Sequence, residues 1–287
     1  MVGTTKLSTL GKTERWLKNP ENLPAIPAMV QQAMALLESN SSSVSEVARV
    51  IQRDEAIVVK ILKVINSAFF GLPRKVNTIS EAIALLGFGQ TRLLLISAAV
   101  LTVGGDRDPL VVYNREFVWQ HSMCCAKWTR AIAKHVGYRA LEEAFLAGLL
   151  HDIGKVVLAV MEPRGFARTL RLCRNDGLTS SEAEQRVLGI DHTQVGEMAL
   201  KHWNLPLAYR ACAALHHDPW PPSIPSDWDD QSKLLKLLAL TRAANEILHL
   251  PAFKASISLD AMADETDIAN NPQILEPVGE ELKSVLA

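Results

Sequence analysis

Five of the eight histidines in this chain stand where an imidazole has chemical consequences. His121 falls on the stripe Phe117, His121, Cys124, Trp128 and Ile132, whose spacing turns it from an apolar helix face into the interior. A histidine so placed is either a hydrogen-bonded core residue or a ligand. His151 and Asp152 lie inside Ala144 to Val160, so uniformly apolar that it reads as one central helix. Burying a carboxylate is costly unless a metal, a cation or converging donors meet it. Lys155, one turn beyond His151, supplies that counter-charge or else contacts a phosphate oxygen. Asp191 is the expected N-cap of a helix with His192 in its first turn. His216 and His217 follow the apolar helix of Pro206 to Leu215, just before Asp218-Pro219.

Neutral imidazole nitrogen with carboxylate oxygen is a ligand set suited to iron, zinc, manganese or nickel. Two such ions about 3.5–4 Å apart can activate a water and neutralise a phosphate, so phosphoester hydrolysis is the chemistry this set would serve.

The elements that must position these residues read as helices. Ser43-x-x-Glu46, Thr78-x-x-Glu81 and Thr179-x-x-Glu182 are capping boxes, each opening a stretch with apolar residues three and four apart. From Asp54, the stripe Ile57, Val58, Ile61, Leu62 and Ile65 predicts a helix that stops near Gly71-Leu72-Pro73. Strand patterns are nearly absent, and Asp176-Gly177 lies between helical segments. The fold expected is all-α. Gly104 to Pro109 is the clearest break and marks a boundary between two helical lobes. A proline-rich loop, Pro219 to Pro225, precedes a helix over Lys233 to Leu248, and beyond Pro251 the pattern weakens into a tail with a short terminal helix.

With 48% hydrophobic residues the 287-residue chain has ample core material. Thirty Lys+Arg against 31 Asp+Glu give a formal net charge of -1, no basis for general attraction to nucleic acid. Cys124, Cys125, Cys173 and Cys212 do not form a disulfide framework and read as reduced core residues. No charged-then-apolar leader opens the sequence, and runs such as Leu93 to Val103 are too short to span a bilayer, so the address expected is the cytoplasm, with no membrane partner.

Taken together, His121-Ser122, Gly148-Leu149-Leu150-His151-Asp152-Ile153-Gly154-Lys155, Asp191-His192-x-x-Val195-Gly196, Trp203-x-Leu205-Pro206 and His216-His217-x-Pro219 resemble the HD-related output domain (HDOD) family of bacterial signalling proteins. Leu23 to Pro27, Asn66 to Pro73 and Ala82 to Gly87 resemble that family's N-terminal lobe. The resemblance covers about residues 20–250. It implies an N-terminal extension (1–20), an N-terminal helical lobe (21–105), an HD-like helical lobe (110–250) and a C-terminal tail (251–287).

The resemblance also implies kinship to metal-dependent phosphohydrolases, cyclic-dinucleotide phosphodiesterases among them. Carried over by position, the metal residues are His121, His151, Asp152, His192, His216 and His217. The late aspartate of those enzymes has no counterpart: Asn245 or Thr241 stands in its place, Glu246 comes too late, and Asp218 is not equivalent. One or two divalent ions, or none, are therefore expected at a vestigial site. The function expected is that of a regulatory module acting through protein contacts, with a signalling protein as partner; Phe69-Phe70 either packs between the lobes or serves as a contact surface. Metal-dependent hydrolysis of a nucleotide or cyclic dinucleotide is the alternative. No receiver domain is recognisable, so the input would come from another protein, a ligand in the pocket, or a segment outside these residues.

Overall fold

A computed structural model describes residues 11, 14–15, 18–24, 27–39, 41–66, 74–102 and 109–249. These are helices, turns and connecting segments, with no strand among the described residues. The chain divides into two compact units, one of Ala25–Gly104 and one of Met1–Pro24 with Gly105–Ala287. Phe69-Phe70, most of the Gly104 to Pro109 break and the 251–287 tail lie outside the described residues.

The smaller unit holds α1 (Ala28–Glu38), α2 (Val44–Ile51), α3 (Glu55–Ile65) and α4 (Ile79–Thr102). Ser43 and Glu46 close a reciprocal capping box at the start of α2. Asp54 caps α3 by accepting from the Ile57 amide at 3.1 Å. At α4 the box is displaced by one residue: Thr78 Oγ1 accepts from the Glu81 amide, whereas the Glu81 carboxylate reaches the Asn77 amide. Helix α3 ends at Ile65, before the expected Gly-Leu-Pro stop, and Asn66 then ties two distant backbones together. Its side chain donates to Leu62 O and Val76 O and accepts from Val76 N, at 2.7–2.9 Å. Gly87 kinks α4 with φ 75°, a left-handed conformation that suits glycine. Ile51, Ile57, Ile61, Ile65, Ile79 and Ile83 are fully buried, so the isoleucine stripes read from the sequence form this unit's core.

The larger unit contains α5 (Pro109–His135), α6 (Leu141–Leu150), α7 (Ile153–Met161), α8 (Pro163–Asp176), α9 (Ser180–Leu188), α10 (His192–His202), α11 (Leu207–Leu215) and α12 (Gln231–His249). Ala144 to Val160 is not the single helix expected. It breaks at His151-Asp152, where Asp152 (φ −99°, ψ 13°) leaves helical geometry and α7 begins afresh. The apolar pattern runs through the break because both helices are buried, so hydrophobicity alone gave no sign of it. Leu141–Met161 is long and apolar enough to cross a membrane by composition, yet 83% of that window is buried within the protein.

Two glycines set the approach of these helices. A Cβ on Gly148 would lie 2.6 Å from Thr129 Oγ1 and 2.7 Å from Ala126 Cα, so α6 meets α5 almost backbone to backbone. One on Gly154 would lie 1.9 Å from His192 O, which fixes α7 against the first turn of α10. Helix α12, buried along most of its length by Leu234, Leu237, Leu240, Ala243, Ala244 and Ile247, packs against α5, α6 and α11.

Candidate metal centre

Every sequence-predicted site residue comes from a helix end or from the start of a turn, apart from His121 in the middle of α5. His151 and Asp152 occupy the α6–α7 break: His151 is still helical, its amide donating to Ala147 O, Asp152 leaves helical geometry, and both side chains are buried. His192 opens α10 behind a capping box in which Asp191 accepts from Thr193 N and Gln194 N. His216 caps the C-terminal end of α11, with His217 next to it. The structure brings all six residues to one place.

Asp152 is the hub. Its Oδ1 lies 3.4 Å from His192 Nε2 and 3.5 Å from His216 Nε2. Its Oδ2 lies 3.5 Å from His151 Nε2, 3.6 Å from His121 Nε2 and 2.7 Å from Lys155 Nζ. Ligand atoms of Asp152, His192, His216 and His217 fall within 4.8 Å of one another, as do those of His121, His151 and Asp152. The four residues His151, Asp152, His192 and His216 are at most 2% exposed. His217 stands at the rim.

The opposite edges of the rings decide what the near edges can do. His151 Nδ1 lies 2.7 Å from Gly148 O, and His216 Nδ1 lies 3.0 Å from both Cys212 O and Ala213 O. Carbonyls only accept, so both Nδ1 atoms carry the proton, and in the neutral ring Nε2 is left as a bare lone pair. His192 Nδ1 donates in the same sense to Glu184 Oε2 at 2.6 Å, beside the His192 amide at 2.8 Å.

Burial holds His151 and His192 well below the usual imidazole range, against the opposing pull of Asp152. Burial likewise takes His121 down to about 4. Burial by itself would raise Asp152, but the Lys155 ammonium, followed by the surrounding histidines, holds the carboxyl well below its ordinary value.

Neutral Nε2 lone pairs thus converge on an ionised carboxylate. His151 Nε2, Asp152 Oδ1, His192 Nε2 and His216 Nε2 are all buried with no hydrogen-bond partner among the described residues. Orphaned acceptors are rare in folded proteins, and these, gathered about the two oxygens of one carboxylate, form a cage whose fitting occupant is a cation. The residues present therefore fit a divalent metal.

Lys155 Nζ donates to Asp152 Oδ2 at 2.7 Å, as a counter-charge would. The place opposite His121 on the last helix belongs to Asn245, whose Oδ1 is 3.1 Å from His121 Nε2, while Thr241 donates to Leu237 O on its own helix. One expectation needs correcting: Phe117, set on the inward stripe with His121, is 52% exposed.

Sequence reasoning missed Glu184 and Arg242. Glu184 is 2% exposed, and burial raises its carboxyl to about 8. Its signal was present in the sequence: it stands one turn before Leu188 on the buried stripe of α9, a place where a carboxylate needs a partner. Arg242 of α12 donates to Asp218 O and, at 3.4 Å, to His216 O, and so holds the turn that carries both late histidines. Its i+4 pair with Glu246 gives no sign of this role, because the carbonyls it holds at the site are 24 and 26 residues away.

Fold and site together define an all-helical protein with an interior histidine–aspartate cage built at helix ends. The HDOD domain family model matches residues 23–219, and the chain belongs to the HDOD family. An uncharacterized protein of Treponema pallidum (strain Nichols) is 24% identical over 199 residues, 69% of this chain. That match spans 38% of the relative's own length. An HDOD domain protein of unknown function from Geobacter sulfurreducens has the same fold, with a TM-score of 0.62 at 21% identity over 96% of this chain and 98% of that one. A protein of Shewanella amazonensis SB2B, provisionally named a phosphohydrolase, gives 0.61 at 22% identity over 95% and 98%.

Proposed function

We propose that this chain is a regulatory module of bacterial signal transduction that holds one divalent metal and acts on a signalling protein by contact rather than by hydrolysis. The observation that carries the metal is the set of orphaned Nε2 lone pairs around Asp152 Oδ1. His192, His216, His217 and Asp152 Oδ1 would ligate it, with Glu184 fixing His192 and Arg242 fixing the His216–His217 turn.

The other half of the cage supports a non-catalytic role. Asp152 Oδ2 is already neutralised by Lys155, and Asn245 brings an uncharged amide where a second ion would want an anionic ligand. A bound ion supplies Lewis acidity and an acidified water, and efficient hydrolysis by a pair of ions needs the second one. Metal analysis after loading with iron, manganese, zinc or nickel is expected to give one ion per chain, without turnover of phosphodiester or phosphomonoester substrates. Two ions per chain, together with turnover that His151→Ala/Asp152→Ala abolishes, would replace this reading.

That second reading, a metal-dependent phosphohydrolase acting on a nucleotide, has one specific support. The two candidate clusters share Asp152, as a bridging carboxylate does. Asn245→Asp separates the two: if the neutral amide is what limits the site, this change raises the metal content above one ion per chain.

A further inference from the structure

A cavity of about 480 Å³ opens beside the histidine cage, within the larger unit. Its walls are Phe117 and Val118 of α5, Phe166 and Leu170 of α8, and Leu248 of α12; Asp152, Lys155 and Glu184 are also among its lining residues. That volume lies in the range of small-molecule sites, roughly 300–1,000 Å³. Lys155 is the one lysine or arginine among the lining residues. Its ammonium has three N–H groups and gives one to Asp152, which leaves two for a ligand oxygen.

The wall chemistry bears on the rest of the ligand, with Ser180, His121 and His249 also lining the cavity. Thr169 Oγ1 donates to Phe166 O and Cys173 Sγ to Thr179 O, so neither hydrogen is free to read a nucleobase edge. Glu184 Oε2 is committed to two N–H groups of His192. Phe117, half exposed on this wall, offers an aromatic face that nothing in its own unit requires to be in water.

We infer that this cavity binds a small monocarboxylate with an apolar body, the carboxylate on Lys155 and the body against Phe117, Phe166 and Leu170. The inference rests on the regulatory reading, because it supplies that module with a chemical input: a ligand oxygen on Lys155 shares the ammonium charge that neutralises Asp152. An apolar acid couples to the cage through Lys155 without touching His192 or His216.

Calorimetric titration of the full chain tests this with decanoate, decanol, acetate and a cyclic dinucleotide as probes, metal content being measured on the same samples. Decanoate should bind at one per chain, decanol about ten- to hundredfold more weakly, and acetate and the dinucleotide without measurable heat. Lys155→Met should bring decanoate down to the level of decanol. Leu170→Trp should narrow the cavity and weaken decanoate binding with metal content unchanged, and a thermal melt of each variant reports folding. Equal affinity for decanol and decanoate, undiminished decanoate binding to Leu170→Trp, or dinucleotide binding in place of decanoate would overturn the inference. An ion retained without decanoate binding removes the ligand alone; decanoate bound without an ion removes the metal reading and leaves the ligand standing.

Discussion

The behaviour of His192 depends on an atom on its far side. Glu184 accepts from both its Nδ1 and its amide, which fixes the ring's tautomer and aim in one contact. Replacing that carboxylate should weaken metal binding about 10- to 100-fold, the usual effect of losing a partner behind a ligating histidine. Glu184→Ala assayed by competition with a chelator checks this; unchanged affinity would mean that packing alone holds the ring. The same measurement on Glu184→Gln should show partial recovery, since the amide oxygen still accepts.

At the scale of elements, close backbone approach fixes the geometry of the cage. Gly154→Ala would push a methyl group onto His192 O, an atom that cannot swing away as a side-chain tip can. The expected loss is about 3 kcal/mol or more, at the upper end for overpacking, and it should carry the metal site with it, because α7 and α10 bear Lys155 and His192. Chemical denaturation, with metal content measured alongside, reads both effects. In the smaller unit, Asn66→Ala removes three hydrogen bonds, two to Val76 and one to Leu62 O at the end of α3. A loss of about 1–3 kcal/mol is expected there, with the metal content of the larger unit unchanged.

For the molecule as a whole, the buried histidines predict how the metal-free protein responds to acid. His121, His151 and His192 have folded values below the unfolded 6.5, so below that pH the unfolded chain binds more protons and stability falls. Each contributes a slope of up to about 1.4 kcal/mol per pH unit, persisting for His121 down to about pH 4. Glu184, raised to about 8 from 4.5, has the opposite sign between those values and offsets one of the three. The melting temperature of chelator-treated protein should therefore fall as pH drops from 6.5 to 5, and bound metal should lessen the fall, because its ligands must be deprotonated. A flat profile in the metal-free protein would mean that the histidines are not held neutral.

The sequence by itself determined the helical class, the caps of α2, α9 and α10, and the residues that gather in the cage. Those signals are local: a capping residue, a stripe at helical spacing, or an ionisable group in apolar surroundings carries its meaning within a few neighbours. The tertiary structure alone decided that the α6–α7 run breaks at Asp152, that Asn245 rather than Thr241 faces His121, and that Glu184 and Arg242 serve the cage. Each of those depends on which atom lies across a helix interface, and burial looks the same in sequence whether a helix continues or turns. The lone pairs around Asp152 belong to that second kind of knowledge, since it took the carbonyls behind the rings to show where the protons are.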